Sequence, residues 1–408
     1  MLPYIVLIAT VCVLGLLCFN KLTKNHPPAA LKIIYLSITF LFLFMYSVCR
    51  ENIGYDYTMY VKGFSVMGND GFSTLIYLDW EWGFTVLTKL VALFTQDVRI
   101  YMAVISVACL AGPFYLIYRY SQKVWLSVLL YVNLYFFYCT MNFLRQSIAI
   151  SIVLFAYTFL VNRKFWKFAL LILLATTFHA TVLIMLPAYF MVNFKPSLRI
   201  PLLYAYLILW VFIASNATLD LITDYVHGEY RNSIFLTKGL DLIHTIIPTL
   251  FVGGGTFLVT KFIKPRNMAD NEKIVVMQTN LMYFSYFWIA IMVRHAILER
   301  FSYYTYIFVI LYIPELLVFA DEKYKDYANR RFNAKIKEND LSETEQKGVI
   351  AYYKRTRRLF NIILVFLIVV ITVSYNIYGL RSFPQFKGIY GGVHGVYPYT
   401  SWIDGLFN

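Results

Sequence analysis

The chain has 408 residues, of which 60% are hydrophobic, 19% are aromatic and only 14% are charged. Soluble globular domains carry about 25% charged and 45–50% apolar residues, whereas the mean hydropathy here is +0.62. This composition excludes a cytosolic enzyme, a disordered scaffold and a secreted disulfide-rich module. A membrane-spanning helix needs about 20 apolar residues, and the sequence supplies such stretches repeatedly. We therefore predict an all-α polytopic membrane protein with one integral membrane domain over residues 1–408.

The formal net charge of +14 has a simple explanation in a membrane protein, because cytoplasmic loops carry an excess of Lys and Arg. It therefore predicts no nucleic-acid partner. The five cysteines show neither a disulfide framework nor the spacing of a zinc site. Buried thiols behave as small hydrophobic groups, so the cysteines indicate no cofactor.

Apolar runs predict the helices, and short basic loops between them mark the cytoplasmic side. These loops lie near residues 21–24, 119–123, 163–167, 195–199 and 261–273. In chain order, the predicted helices cover about 2–19, 31–49, 99–118, 124–141, 143–161, 168–193, 201–216, 245–263, 274–297, 301–320 and 359–379.

Two segments must depart from a single crossing if the basic loops share one side. The segment from Glu81 to Phe94 has 14 residues and contains Lys89, so it is too short to span and is predicted to be re-entrant or interfacial. The run 168–193 is predicted to split near His179 into two halves. The result is about 12 crossings, each of roughly 20 residues, with both termini outside.

This topology distributes the loops between the two faces. The outer face receives the segment 50–98 with its re-entrant or interfacial helix, the loop 216–244 and the tail 380–408. The cytoplasmic side receives the charged loop 321–358, which carries 11 Lys+Arg against 7 Asp+Glu and is predicted to form an amphipathic hairpin or a linker. Any chemistry is therefore expected on the outside.

Several enzyme classes have no support in the sequence. It contains no Walker A loop, no dinucleotide fingerprint, no His-Glu-x-x-His and no Gly-x-Ser-x-Gly motif. An ATP-driven pump, a redox enzyme, a zinc protease and a serine hydrolase are thus not indicated. A reaction at the outer face would need an activated substrate.

Ionisable side chains in or beside apolar spans cost a few kcal/mol each, so they are candidate functional residues. Structural explanations compete with this interpretation. A lone arginine at a helix end often extends to the headgroups, a histidine can pack two half-helices, and carboxylates can simply neutralise arginines. Arg145 is the hardest to explain in this way, since apolar residues continue on both sides of it. The candidates are Arg50, Asp56, Glu81, Arg145, His179, Arg294 and Arg300.

As a set these residues suggest a site for a multiply charged anion. Guanidinium groups bind phosphate oxygens bidentately and stay charged, and neutral histidine can accept a proton from a hydroxyl group. Tyrosines and tryptophans of the outer segments could stack on sugar rings or could form an interfacial aromatic belt. A lipid diphosphate that carries a glycan would use all three features.

Six short motifs occur along the chain. They are Arg50 with Gly54-Tyr-Asp56-Tyr and Tyr60, Glu81-Trp-Gly-Phe84, Met141-Asn-Phe-Leu-Arg145-Gln146-Ser-Ile-Ala149, Phe178-His179-Ala180, Arg300 with Tyr303-Tyr304, and Tyr397-Pro-Tyr399-Thr-Ser401. In this order they resemble the EpsG-like family of Wzy-type polysaccharide polymerases. The resemblance extends over almost the whole chain.

The resemblance implies a GT-C-like membrane glycosyltransferase at the outer, periplasmic face of the bacterial inner membrane. Its donor and acceptor would be oligosaccharide repeat units on undecaprenyl diphosphate, surrounded by membrane lipid. A chain-length regulator protein is a candidate partner. The polymer would be an O-antigen, a capsule or an exopolysaccharide.

Roles for the individual residues follow from this hypothesis. Arg145 and Arg300, with Arg50 and the secondary candidate Arg294, would hold the diphosphate and stabilise its leaving charge. His179 is the first choice for general base on the acceptor hydroxyl.

Glu81 and Asp56 are the rivals of the histidine for that role. We expect no metal requirement, because arginines can supply the electrostatic stabilisation, although Asp79-x-Glu81 resembles an acidic metal-binding pair. The predicted substrate contacts are Gln146, Tyr60, Tyr303, Tyr397 and Tyr399.

Two other functions remain open at this point. A flippase or transporter of lipid-linked glycans would usually show internal repeats and charges at the membrane midplane, and neither is evident. A ligase that moves a finished glycan to another acceptor would share almost all of the same chemistry.

Overall fold

The computed structural model is built from helices throughout the residues that it describes. This finding confirms the all-α prediction for that part of the chain. An isolated antiparallel bridge also joins Arg50 to Ser401. The described residues are 2–19, 28–69, 80–213, 243–264, 268–293, 298–339, 342–382, 396 and 399–401.

Sixteen α-helices are labelled in chain order over these residues, and a short 3₁₀ helix, Ala180–Ile184, precedes α10. The first eight are α1 Leu2–Cys18, α2 Ala29–Val48, α3 Tyr57–Asn69, α4 Trp82–Phe94, α5 Val98–Tyr120, α6 Val124–Asn133, α7 Phe136–Asn142 and α8 Leu144–Val161. The others are α9 Phe165–Thr176, α10 Met185–Met191, α11 Arg199–Ile213, α12 Ile243–Phe262, α13 Asp270–Met292, α14 Glu299–Tyr306, α15 Val309–Asn339 and α16 Glu343–Ser382.

Six of the described helices are long and apolar enough to cross a membrane, namely α2, α5, α8, α12, α13 and α16. The number rises to eight if each of the bent pairs α6/α7 and α14/α15 is counted as one span. Shorter apolar helices such as α1, α4, α9 and α11 accompany them. The chain is a multi-pass membrane protein. The predicted total of about 12 crossings, at roughly 20 residues each, stays a prediction.

Two helices predicted to be continuous are broken, and those predictions are wrong. Tyr135 has φ 69° and separates α6 from α7 at a bend of 50°. This left-handed conformation costs roughly 1–2 kcal/mol, so packing must stabilise it, and the Tyr135 hydroxyl donates to the backbone oxygen of Tyr375. The second break separates α14 from α15 at a bend of 46°.

The prediction of a break at His179 is confirmed. Helix α9 ends at Thr176 and the 3₁₀ helix begins at Ala180, with His179 in extended conformation between them (φ −161°, ψ 116°). The short segment after Glu81 forms the 13-residue helix α4. Its re-entrant or interfacial position stays a prediction.

Helices α5 and α8 pack closely against each other in the buried part of the fold. The Gly112 backbone N–H donates to the Ser151 hydroxyl at 2.8 Å. A Cβ atom at Gly112 would overlap the carbonyl oxygen of Ser151, so glycine permits this close approach. Helices α2, α12 and α16 instead leave most of their apolar windows unburied, as suits surfaces that face lipid.

The charged segment 321–358 is helical on both sides of residues 340–341, since α15 continues to Asn339 and α16 begins at Glu343. At its base the Asp321 carboxylate accepts hydrogen bonds from Arg357 Nε at 2.6 Å and from Asn361. These contacts tie α15 to α16, as a hairpin requires. The loop 216–244 lies almost wholly outside the described residues, as does most of the tail 380–408.

Candidate active site

Glu81 is the centre of a cluster of charged side chains that come from distant parts of the chain. Its Oε2 atom accepts a hydrogen bond from Arg145 Nη1 at 2.5 Å, and its Oε1 atom lies 2.7 Å from His179 Nδ1. The backbone N–H of Ala180 also approaches Oε1 at 3.4 Å. One carboxylate thus connects the start of α4, the start of α8 and the break after α9.

A close backbone contact sets the position of Glu81 against the His179 break. The Gly83 N–H donates to the carbonyl oxygen of Thr177 at 2.7 Å. A Cβ atom at Gly83 would lie 2.7 Å from that same oxygen, which is closer than real Cβ contacts. Glycine in Glu-Trp-Gly-Phe is therefore what allows the two segments to pair.

The Glu81 carboxylate is ionised at neutral pH. Burial by itself would raise its pKa, but the hydrogen bond and charge of His179 and the charge of Arg145 outweigh burial and bring the pKa of Glu81 down to about 2. An ionised carboxylate only accepts hydrogen bonds. His179 Nδ1 must therefore carry the hydrogen, which leaves Nε2 with its lone pair.

His179 is buried, with 8% of its surface exposed. Burial lowers the pKa of His179 below its ordinary value of 6.5; Glu81 opposes this shift, while the charges of Arg145 and Arg300 reinforce it. The imidazole is consequently neutral at physiological pH and can accept a proton at Nε2. A carboxylate that fixes the tautomer of a histidine base is the arrangement known from hydrolytic triads.

Arg145 lies in the first turn of α8, where the helix dipole also favours an anion. Its side chain is 23% exposed. Besides the bond to Glu81, the guanidinium group interacts electrostatically with the Tyr60 hydroxyl, and the Tyr60 ring packs against Trp80 and Phe84. A guanidinium group has five N–H donors, so Arg145 can hold Glu81 and still bind an anion.

Arg300 lies in the first turn of α14, and its charge acts on the same residues as that of Arg145. Its guanidinium group stacks over the Phe143 ring at 5.0 Å, and its backbone oxygen accepts a hydrogen bond from Gln146 Nε2 at 2.6 Å. Both arginine charges lower the pKa of His179. The two guanidinium groups therefore share one electrostatic environment.

Asp56 belongs to the same cluster. Its backbone N–H donates to Asn142 Oδ1 at 3.2 Å, immediately before α8. Burial raises the pKa of Asp56, and the charges of Arg300 and Arg145 oppose that rise. The structure thus brings together the following predicted residues: Asp56, Tyr60, Glu81, Arg145, Gln146, His179 and Arg300.

Arg50 has different neighbours. Arg50 is 2% exposed. Its guanidinium group donates to Ser47 Oγ at 2.9 Å and to Met102 Sδ at 3.6 Å, and it lies 6.0 Å from the centre of the Tyr57 ring. None of these partners belongs to the Glu81 cluster. The contacts give Arg50 a structural role at the end of α2, and a role toward diphosphate stays a prediction.

Two of the predicted tyrosine contacts also have internal partners. The Tyr399 hydroxyl donates to the backbone oxygen of Tyr46 at 2.7 Å. The Tyr303 hydroxyl donates to Glu299 Oε1 at 2.6 Å. Arg294 and Tyr397 lie outside the described residues.

Tyr304 belongs to the Arg300 motif, but it was not among the predicted site residues, and the structure places it at the site. Its buried hydroxyl lies 2.9 Å from Thr181 Oγ1, two residues after His179. Tyr304 follows Arg300 by four positions, so the two share one face of α14, and Tyr303 is turned about 100° from Tyr304. The i, i+4 spacing is compatible with this placement, but Tyr303 at i+3 could lie on the same face of a helix, so the spacing alone does not select Tyr304.

The described residues contain no group of three or more His, Cys, Asp or Glu side chains that could hold a metal ion, and Asp79 lies outside them. The arrangement offers two guanidinium groups for an anion and one oriented imidazole for a proton. Such a site can bind a phosphorylated substrate and accept a proton from a nucleophilic hydroxyl group.

Comparison with known proteins gives one result. No curated protein and no solved structure matches the chain. A family model does match, over residues 33–330, and this range includes the whole Glu81 cluster. The chain belongs to the EpsG family.

Proposed function

We propose that the protein polymerises oligosaccharide repeat units carried on undecaprenyl diphosphate, as a glycosyltransferase. Family membership points to a polysaccharide polymerase. The observation that carries the proposal is the joint binding of Arg145 and His179 by Glu81, beside the charge of Arg300. The cluster supplies an anion site and a base, which are the two requirements of transfer from a lipid diphosphate.

The reaction would form one bond and break another at the anomeric carbon of the donor. The acceptor hydroxyl, at the non-reducing end of an incoming unit, attacks this carbon while His179 Nε2 takes its proton. The bond from the anomeric carbon to the diphosphate oxygen breaks, and the lipid diphosphate leaves. Arg145 and Arg300 would stabilise the charge that develops on the leaving group.

The electrostatics favour His179 over its rivals as general base. Glu81, whose pKa is brought down to about 2, binds protons too weakly at neutral pH, and its oxygen atoms already accept hydrogen bonds from Arg145 and His179. Asp56 lies in the field of both arginines and is better suited to accept a hydrogen bond from a sugar hydroxyl. We propose that the reaction needs no metal ion.

The distribution of charge supports an active site on the outer, periplasmic side of a bacterial inner membrane. Helix α8 begins with Arg145 in the cluster and ends at the basic stretch 163–167. The base of the charged hairpin, at Asp321, acts electrostatically on Lys123, just before α6. By the positive-inside rule, the basic end of the molecule would face the cytoplasm.

The test is to incubate purified protein with a synthetic undecaprenyl-diphosphate repeat unit and to separate the glycans by size. A ladder of products supports the proposal. If single units are only transferred to a different acceptor, the protein is a ligase. In a null strain, single lipid-linked units should accumulate on the outer face, whereas their retention on the inner face would indicate a flippase.

A further inference from the structure

Hydrogen bonds join the three segments that carry Arg145, Arg300 and His179 into a closed ring. These segments are the start of α8, the start of α14 and the break between α9 and α10. Glu81 makes the first link, because it contacts both Arg145 and His179. The other two links use Gln146, which directly follows Arg145, and Tyr304, which follows Arg300 by four residues.

Gln146 makes the link between α8 and α14. Its side chain is 3% exposed, and its amide nitrogen donates to the Arg300 backbone oxygen at 2.6 Å. Because Gln146 directly follows Arg145, this bond fixes the first turn of α8 against the first turn of α14. The spacing of the two guanidinium groups depends on it.

Tyr304 makes the link between α14 and the His179 break. Its fully buried hydroxyl lies 2.9 Å from Thr181 Oγ1. Tyr304 stands one helical turn after Arg300, and Thr181 follows His179 by two residues. This bond therefore fixes the distance between the arginine and the base.

We infer that Gln146 and Tyr304 are positioning residues, which hold Arg300 at the distance from Arg145 and His179 that the transfer requires. The inference rests on the proposed function. It replaces the predicted role of Gln146 as a substrate contact, since the Gln146 amide nitrogen is buried and donates to protein. Tyr304 likewise acts through Arg300 and His179 and not through contact with the glycan.

The effect of losing either link should fall on the chemical step. Displacement of a catalytic group by about 1 Å can cost around 10²-fold in rate. The tail and sugars of the substrate would still bind. We therefore expect a lower kcat with little change in KM.

The experiment compares Gln146→Met and Tyr304→Phe, which remove a hydrogen bond but preserve volume, with the wild-type protein in the ladder assay. The matched controls are Gln278→Met and Tyr157→Phe, because Gln278 Nε2 donates to the buried Tyr157 hydroxyl at 3.1 Å, 12 residues along α8 from Arg145. Melting temperature in detergent is measured for all four variants.

We expect each site variant to lower kcat about tenfold or more, with KM within about twofold of the wild-type value. The control variants should keep the wild-type kcat even when their melting temperature falls as much as that of the site variants. The double site variant should have a kcat only slightly below that of the less active single variant, since breaking one link already opens the ring.

Release of Arg300 should also raise the pKa of His179, because the charge of Arg300 lowers it. The acid limb of the kcat profile should then move to higher pH.

Three results would overturn the inference. A rise in KM at constant kcat would make Gln146 or Tyr304 a substrate contact. If the site variants and the controls have equal kcat, Gln146 and Tyr304 have only a structural role. If the wild-type protein makes no ladder, the proposed function fails together with the inference. In the first two results the wild-type protein makes a ladder, so only the inference fails.

Discussion

The two ends of the molecule each contain an arginine bound to a carboxylate. The two ion pairs differ in the other side chain that the carboxylate contacts, and this difference indicates different roles. At one end Glu81 accepts from Arg145 and also contacts His179. At the other end Asp321 accepts from Arg357 and Asn361. The Glu81 carboxylate orients a group that can exchange a proton near neutral pH. The Asp321 carboxylate joins α15 to an arginine and an asparagine of α16, neither of which exchanges a proton near neutral pH.

The comparison teaches that an ion pair is not by itself a mark of function. Both arginines occupy partly exposed positions, with side chains 23% and 34% exposed. What distinguishes the Glu81 end is the convergence of a histidine, a second arginine and several helix starts. Variants should therefore affect activity at one end and stability at the other.

The largest effect is expected from His179→Gln, which removes the base and should lower kcat about 10²–10⁴-fold. His244→Gln is the matched control, because His244 is also buried and its Nδ1 atom lies 2.9 Å from the Tyr375 hydroxyl. The measurement is ladder formation over time. Equal losses in the two variants would contradict the assignment of the base.

The pH profile sharpens this assignment. His179 acts as a base only when neutral, and burial lowers its pKa below 6.5, so the wild-type rate should be full above that value and fall as the pH drops through the lowered pKa. Glu81 raises the pKa of His179, so Glu81→Gln should move the acid limb to lower pH and reduce the maximum rate. If the acid limb of Glu81→Gln is not shifted, the pH profile does not report the ionisation of His179.

Arg145→Ala should lower kcat about 10²–10³-fold, as does the loss of one donor to a developing negative charge. Arg145→Lys should recover part of this, because it keeps the charge but not the bidentate geometry. Arg357→Ala at the other end of the molecule is the control and should retain most activity. Long polymer in a null strain complemented with Arg145→Ala would remove Arg145 from the mechanism.

Gly83→Ala should have a smaller effect, about tenfold in kcat, since a misplaced catalytic group loses rate without being lost. The added Cβ atom would lie 2.7 Å from the Thr177 oxygen and push the Glu81 segment away from His179. Gly253→Ala is a suitable control, because an added Cβ there meets no atom within 4 Å. Equal rates in both variants would show that the contact tolerates displacement.

Asp321→Asn should leave kcat within about twofold, because it lies outside the ring, and should destabilise the fold by about 1–2 kcal/mol. Thermal unfolding in detergent and the ladder assay measure the two quantities separately. A large loss of activity at unchanged melting temperature would mean that the two ends are coupled.

The smallest effect is expected from EDTA. If arginines stabilise the leaving diphosphate, chelation of divalent ions should leave the initial rate unchanged. Loss of activity, with recovery on addition of magnesium, would instead assign a metal to the site.

Much of the fold followed from hydropathy, because long apolar runs must be helical in a bilayer where backbone groups need internal partners. The break at His179 was predictable from a polar residue inside an apolar run. The break at Tyr135 was not predictable from its apolar run, and there the Tyr135 hydroxyl donates to the backbone oxygen of Tyr375 on α16, far along the chain. Local sequence carries no trace of such a contact.

The candidate site divides in the same way. Composition and the order of the motifs determined a polytopic membrane protein of this family and singled out Arg145, Glu81 and His179. Only the tertiary structure decided that Glu81 contacts both of the others, that Arg50 has separate partners and that Tyr304 faces the cluster while Tyr303 does not. The physical reason is that apolar patterning fixes which segments become helices, whereas the pairing of side chains across helices depends on the rotation and depth at which those helices pack.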